Sequence, residues 1–407
     1  MKGKIIACII AICFSLSFHP SCKGNEVGGY GEILEEITEE TMREYIQMLQ
    51  GFGPRVTGTE ACREAAEYIA SQFQEYGLSV RYHSWEYGGY EDINVEGTLE
   101  GVNESSDEIY IVCAHYDSVP GSPGADDNGS GTAAVLAAAN VLSNYKFEHT
   151  IRFVTFSGEE EGLLGSHEYA SEARSNGDNI VGVINADMIG YTRGSIGMTH
   201  VWAQEIPSSM WITNISINVS NVYSDKIELE LVREESHPYS DHHSFISYGY
   251  DAIFFIEYEF NDYYHSSEDT IDKMDLDYAA RVTRLIVGTL IEMAELLEGD
   301  WEKPQVSVEK PMQGYLYLQN KEIIPLPFGM TVVLGGIEIE AYASDNESGV
   351  RMVEFYIDGN LKFIDEEPPY TYMWDEHAFL THNIEVRAYD NAGNMRSAER
   401  KCLIFNL

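Results

Sequence analysis

The sequence predicts an α/β protein, with a mostly parallel central sheet flanked by helices, followed by a C-terminal all-β sandwich. Three observations carry that expectation. Short apolar runs alternate with helical patterns between residues 109 and 297, the helical period ends near Gly299, and beyond Gln305 apolar residues recur at every second position. A chain of 407 residues is long enough for two or three domains. The expected divisions are a signal peptide over 1–22, the α/β domain over 27–300 and the sandwich over 305–407.

At the N-terminus, Lys2 and Lys4 precede the apolar run Ile5 to Phe18. That run is short for a bilayer core of ~30 Å but suits a signal peptide, so secretion is expected and a stable membrane span is not. Cys22 opens an alternative, a cell-surface lipoprotein, although His19, Pro20 and Ser21 fit a lipobox poorly. Thr41 with Glu44 reads as a capping box, and Met42, Tyr45, Ile46 and Leu49 fall on one helical face. A second helix starts at Glu60, buries Cys62, Ala66, Ile69 and Phe73, and stops at Gly77.

Ile109 to Cys113 is continuously apolar, as in a strand covered on both faces. The alternation then continues: helix Gly131 to Leu142, strand Ile151 to Phe156, helix Gly165 to Ala173, strand Ile180 to Ile184, strand Ala252 to Ile256. A long helix over Leu276 to Leu297 is expected to close at Gly299. In the sandwich, Ile337, Ile339 and Ala341 alternate with polar neighbours, as do Val353, Phe355 and Ile357, and Ile384, Val386 and Ala388. Asp358-Gly359-Asn360 is a hairpin signal between two such strands.

Composition narrows the function. Lys and Arg number 25 against 67 Asp and Glu, a formal net charge of -42. Such a surface repels phosphate backbones, which excludes nucleic acid as a partner, and attracts metal ions and peptide ammonium groups. Of six cysteines, Cys8 and Cys13 fall in the signal segment and none forms a CxxC pair. Neither a zinc knuckle nor a disulfide framework is expected.

The ionisable residues collect at or just beyond strand ends, where open α/β sheets place their chemistry. His115 follows the first buried strand, Asp126 lies in Gly124-Ala125-Asp126-Asp127, and Glu159 and Glu160 follow the next strand. Asp187 ends another strand, and His265 follows Tyr263-Tyr264. Carboxylates crowded at one rim repel one another unless cations hold them, and two imidazoles with three carboxylates suit Zn²⁺.

These segments resemble the M28 family of zinc peptidases over roughly Leu34 to Leu297. Gly124-Ala125-Asp126-Asp127 and the Glu-Glu-x-Gly-Leu of Glu159 to Leu163 are the most specific pieces. The family includes bacterial aminopeptidases, plasma glutamate carboxypeptidase and glutaminyl cyclases. The resemblance implies a zinc-exopeptidase fold holding two Zn²⁺, with Asp126 bridging, His115 and Asp187 completing one site, and Glu160 and His265 the other. It implies Glu159 as the general base that takes a proton from a metal-bound water to give the bridging hydroxide, Asp117 holding the His115 imidazole from behind, and a cis bond between Asp126 and Asp127. Asp241 reads as an orienting carboxylate rather than a ligand. The oxyanion donor would come from the Ser240-Asp241-His242 region, where Tyr239 and His242 are both candidates. Tyr342 to Val350 and Tyr389 to Asn394 resemble bacterial Ig-like domains, which implies a spacing module able to contact a cell surface or other proteins.

The function expected is removal of N-terminal residues from peptides. Carboxypeptidase or dipeptidase action is the alternative on the same scaffold, and it would need a basic residue for the substrate carboxylate. Arg55, Arg193 and Arg233 are the residues to follow. A glutaminyl cyclase is disfavoured by the full ligand set, and a non-catalytic binding protein by an intact Glu159.

Overall fold

A computed structural model describes residues 29–297, 299, 303–346 and 348–406. The signal segment and Cys22 lie outside the described residues. The chain divides into two compact units after Leu296.

The first unit is built on β1 (Ser79–Tyr87), β2 (Tyr90–Leu99), β3 (Glu108–His115), β4 (Thr150–Phe156), β5 (Asn179–Ala186), β6 (His200–Glu205), β7 (Glu230–Glu235) and β8 (Ala252–Glu257). They form one eight-stranded sheet in the order β1-β2-β4-β3-β5-β8-β6-β7. The central run β4-β3-β5-β8 is parallel throughout, so its carboxyl ends share one rim. The β1–β2 hairpin joins β4 antiparallel, and β6 and β7, parallel to each other, join β8 antiparallel.

Burial explains the sequence of these strands. From Ile109 to His115, β3 is buried at every residue. Ile109, Ile111 and Cys113 meet Tyr169, Ala170, Ala173 and Phe245 from the helices Leu164–Asn176 and His242–Ser247. The period of two sends Val112 and Ala114 to the other face, where the helix Gly129–Leu142 packs. That helix lies between the sheet and the helices Glu39–Gly51 and Leu276–Ala294, which is why it consists of small and apolar residues. Its Gly131 has no room for a side chain: a Cβ there would stand 2.2 Å from Ala186 O.

Several boundaries differ from the sequence expectation. Thr38, not Thr41, caps the first of these long helices by accepting Thr41 N–H, so the helix begins at Glu39. The long helix ends at Ala294, with Glu295 at φ 55, and not at Gly299. Its last carbonyls are taken by another segment, since Ala294 O and Glu295 O accept His149 N and Glu148 N. β6 and β7 had no apolar run to announce them, because β7 is only half covered and reads Glu-Leu-Val-Arg-Glu-Glu.

In the second unit a seven-stranded and a three-stranded sheet share one core. Val308, Ile337, Ile339, Tyr370 and Trp374 from the smaller sheet pack against Val353, Phe355, Ile384, Val386 and Ile404 from the larger. Asp358 and Gly359, both at positive φ, make the two-residue turn between Ile357 and Asn360. Cys62, Cys113 and Cys402 are free and buried.

Candidate metal centre and active site

Four parallel strands and one helix deliver the ionisable groups to a single rim. His115 is the last residue of β3; Glu159 and Glu160 follow β4; Asp187 follows β5; His265 lies in the loop after β8; and Asp127 directly precedes Asn128, the cap of the helix Gly129–Leu142. Asn128 Oδ1 accepts Gly131 N at 2.8 Å, and its Nδ2 donates to Ala186 O at 2.9 Å. One side chain thus starts the helix and ties it to the end of β5, next to Asp187.

Asp127 is the residue at which the two halves meet. Its Oδ1 is 3.5 Å from His115 Nε2 and its Oδ2 is 3.2 Å from His265 Nε2. On the first side His115 Nε2 is 3.3 Å from Asp187 Oδ1, and on the second His265 Nε2 is 3.0 Å from Glu160 Oε2. Glu159 reaches the first side, 3.9 Å from His115 Nε2. The potential ligand atoms of His115, Glu159 and Asp187, and those of His115, Asp127 and Glu160, each lie within 4.8 Å of one another.

Asp126, expected to bridge, points elsewhere. Its Oδ1 accepts Gly190 N at 2.9 Å and its Oδ2 accepts Asn261 Nδ2 at 2.7 Å, so the acidic side chain facing both imidazoles is Asp127. The cis bond is likewise one residue later, between Asp127 and Asn128. Two adjacent aspartates look alike in sequence; the register is set by Asn128, whose capping bond fixes where the helix begins.

Asp117 behaves as a brace. Its Oδ1 is 3.5 Å from His115 Nδ1 and accepts Glu159 N at 3.3 Å, while its Oδ2 accepts Glu160 N at 3.3 Å and Thr57 Oγ1 at 2.9 Å. Asp241, expected to orient a ligand in the same way, has both oxygens buried without a close hydrogen-bond partner among the described residues. Its neighbour Ser240 makes the contact instead, donating to Asp187 Oδ2 at 2.7 Å and accepting from Asn185 Nδ2 at 2.7 Å. Ser240 escaped the sequence reading because a serine carries no signal of its own. Asp269 escaped it too: its carboxylate accepts Asp126 N at 3.0 Å and Asp127 N at 3.2 Å.

The two oxyanion candidates part company. Tyr239 is 74% exposed beside His237. His242 is fully buried, stacked on Phe254, with Nε2 3.0 Å from Ser236 Oγ and Nδ1 without a partner among the described residues.

The profile of peptidase family M28 matches residues 94–290, and that of a bacterial Ig domain matches residues 327–386. The first unit carries the M28 peptidase match. Leucine aminopeptidase 1 of Sclerotinia sclerotiorum is 27% identical over 290 residues, covering 64% of this chain and 73% of that protein. Among solved structures, LapB of Legionella pneumophila aligns with a TM-score of 0.61 at 22% identity, over 67% of this chain and 76% of that one. BSAP, a zinc aminopeptidase from Bacillus subtilis, aligns at 0.57 and 19%, over 64% and 98%. At these identities the structural likeness establishes the fold.

The electrostatics of the M28 site suit a cation. Burial drives the Glu159 carboxyl well above its ordinary value despite His115, and burial with Asp127 raises Glu160 to about 8. Burial opposes charge on His115, but Glu159 and Asp187 outweigh it and hold its pKa well above the usual imidazole range. His265 is raised by its bond to Asp127, although burial opposes it. Among the described residues, Glu160 Oε1 is buried without a hydrogen-bond partner. In the bare protein protonation relieves this crowding, and a dication relieves it better. Two imidazoles and three or four carboxylates are a zinc-compatible donor set.

The M28 unit leaves none of the three arginines of interest free for a substrate carboxylate. Arg55 is fully buried and donates to the carbonyls of Leu49, Tyr116, Pro123 and Gly124, stapling the loops of His115 and Asp127. Arg193 pairs with Asp262, and Arg233 with Glu205 and Asn214.

Proposed function

We propose that the M28 unit is a two-zinc aminopeptidase acting on peptides with a free N-terminus, with Glu159 as its general base. The observation that carries this reading is the placement of Asp127, one carboxylate oxygen toward His115 and the other toward His265. A carboxylate so placed can bridge two ions ~3.5–4 Å apart, the spacing of hydrolytic two-metal sites. His115 and Asp187 would complete one ion's protein ligands, and Glu160 and His265 the other's. When bound, such ions polarise the scissile carbonyl and acidify water.

The chain's own residues supply the rest. Glu159 stands beside the His115–Asp187 half, with 11% of its side chain exposed and a raised pKa, suited to take a proton from the attacking water and return it to the leaving amine. Asp117 holds both His115 and the turn bearing Glu159 and Glu160, which keeps base and ligands in one frame. The crowded carboxylates favour an ammonium group at the mouth, and the committed arginines disfavour a substrate carboxylate. The aminopeptidase activity named for the Sclerotinia relative supports the same choice. We further propose secretion, on the strength of Lys2, Lys4 and the apolar run after them, with the Ig unit as a spacer.

The test is hydrolysis of free and N-acetylated peptides by the zinc-loaded protein and by Glu159→Gln. The expected result is release of N-terminal residues from free peptides only, with a loss of about 10²–10⁴-fold in the variant and unchanged zinc content. An equally active variant would remove Glu159 from the mechanism. Activity confined to N-blocked peptides would establish a carboxypeptidase, and ring closure of N-terminal Gln without hydrolysis would establish a cyclase.

A further inference from the structure

The two halves of the cluster are not braced alike. Asp187 is held by Ser240, His115 lies beside Asp117, and the Glu160 turn is held by Asp117. His265 is more exposed, at 36%, than His115, Asp127, Glu159, Glu160 or Asp187, and its ring is stacked 3.7 Å from that of Tyr264. It sits at φ 55 in the turn closed by Ser266 N on Tyr263 O at 3.1 Å, so its aim depends on where that turn is pinned.

Asn261 is the pin. It is 2% exposed, its Oδ1 accepts Tyr263 N at 2.7 Å, and its Nδ2 donates to Asp126 Oδ2 at 2.7 Å. Asp126 is the residue before Asp127, and its other oxygen takes Gly190 N, three residues past Asp187. One amide and one carboxylate therefore tie the loops of Asp127, Asp187 and His265 together below the rim. An amide is the side chain of this size that can donate to a carboxylate while accepting from a backbone N–H. An aspartate would set like charge against Asp126, and an alanine would leave a buried carboxylate oxygen and an N–H unpaired.

We propose that Asn261 is a positioning residue for the His265 half of the metal centre: it fixes the separation of His265 and Asp127, and so sets the affinity of the second ion while sparing the first. This rests on the two-ion reading above. The Asp126 carboxylate is its partner and acts through it.

The test is calorimetric titration of the metal-free full chain with Zn²⁺, for the unaltered protein, Asn261→Ala and Asn261→Asp. Metal-free circular dichroism confirms folding, and the isosteric Asn261→Asp is read alone if the alanine variant does not fold. The unaltered protein should bind two ions. In the variants one ion should keep its affinity while the other weakens about 10–100-fold, with kcat falling in step with the lost ion. Asp126→Ala combined with Asn261→Ala should weaken the second ion no further than the worse single change. Two ions bound with unchanged affinities in the variants would overturn the role of Asn261, and equal weakening of both ions would overturn its selectivity. Fewer than two ions on the unaltered protein would instead overturn the two-ion reading, and this proposal with it.

Discussion

Asp126 and Asp127 are neighbours of the same chemical kind, and the fold gives them opposite duties. Asp127 faces both imidazoles, whereas Asp126 faces Asn261 and the backbone of Gly190. On the proposed two-zinc reading, Asp127→Ala should therefore abolish zinc binding, measured by equilibrium dialysis; retention of two ions would show that another group bridges. Protonation gives a second check at this scale. Glu160 titrates at about 8 against an ordinary 4.5, so without metal the folded state holds that proton more tightly than the unfolded chain does. The resulting stabilisation is complete below the unfolded value and is lost as pH rises through about 8. An ion takes the proton's place, so the zinc-induced gain in Tm should grow as pH rises across that window. Scanning calorimetry of metal-free and zinc-loaded protein checks this, and a gain that shrinks with pH would contradict it.

Among the elements, those that carry the site were readable because their burial is written in composition. β3 and β8 are apolar runs covered on both faces, and the Ala- and Gly-rich helix after Asn128 could only lie between layers. What composition could not give was the count within a loop: nothing in Gly-Ala-Asp-Asp-Asn says which aspartate faces the rim until the Asn128 cap fixes the helix start. Nor did it give Ser240, Asn261 or Asp269, whose importance lies in contacts between segments far apart in sequence. Two tests belong here. Gly131→Val should destabilise the protein by about 1–3 kcal/mol or more, because its Cβ would press on the carbonyl before Asp187; an unchanged denaturation midpoint would contradict the packing described. Asn94, buried, accepts Ser157 N at 3.2 Å and donates to Gly165 O at 2.9 Å, clamping the turn that carries Glu159. Asn94→Ala should lower kcat more than it raises KM, read from steady-state kinetics.

At the scale of the whole molecule, the formal charge of -42 is the dominant property. Self-repulsion of that size opposes the compact state and is screened by salt over a Debye length of about 10 Å at 0.1 M. Tm should rise between about 0.02 and 0.5 M NaCl, and a fall would mean that attractive ion pairs outweigh the repulsion. The same charge concentrates cations near the rim where the carboxylates converge, so surface and site work in one direction. In the proposed two-zinc site this convergence holds a pair of ions with Asp127 between them. Anomalous diffraction at the zinc edge from crystals of the zinc-loaded protein tests it most directly. Two peaks ~3.5–4 Å apart are expected, one against His115 and Asp187, the other against Glu160 and His265, with an Asp127 oxygen on each. A single peak, or a pair joined through Asp126, would contradict it.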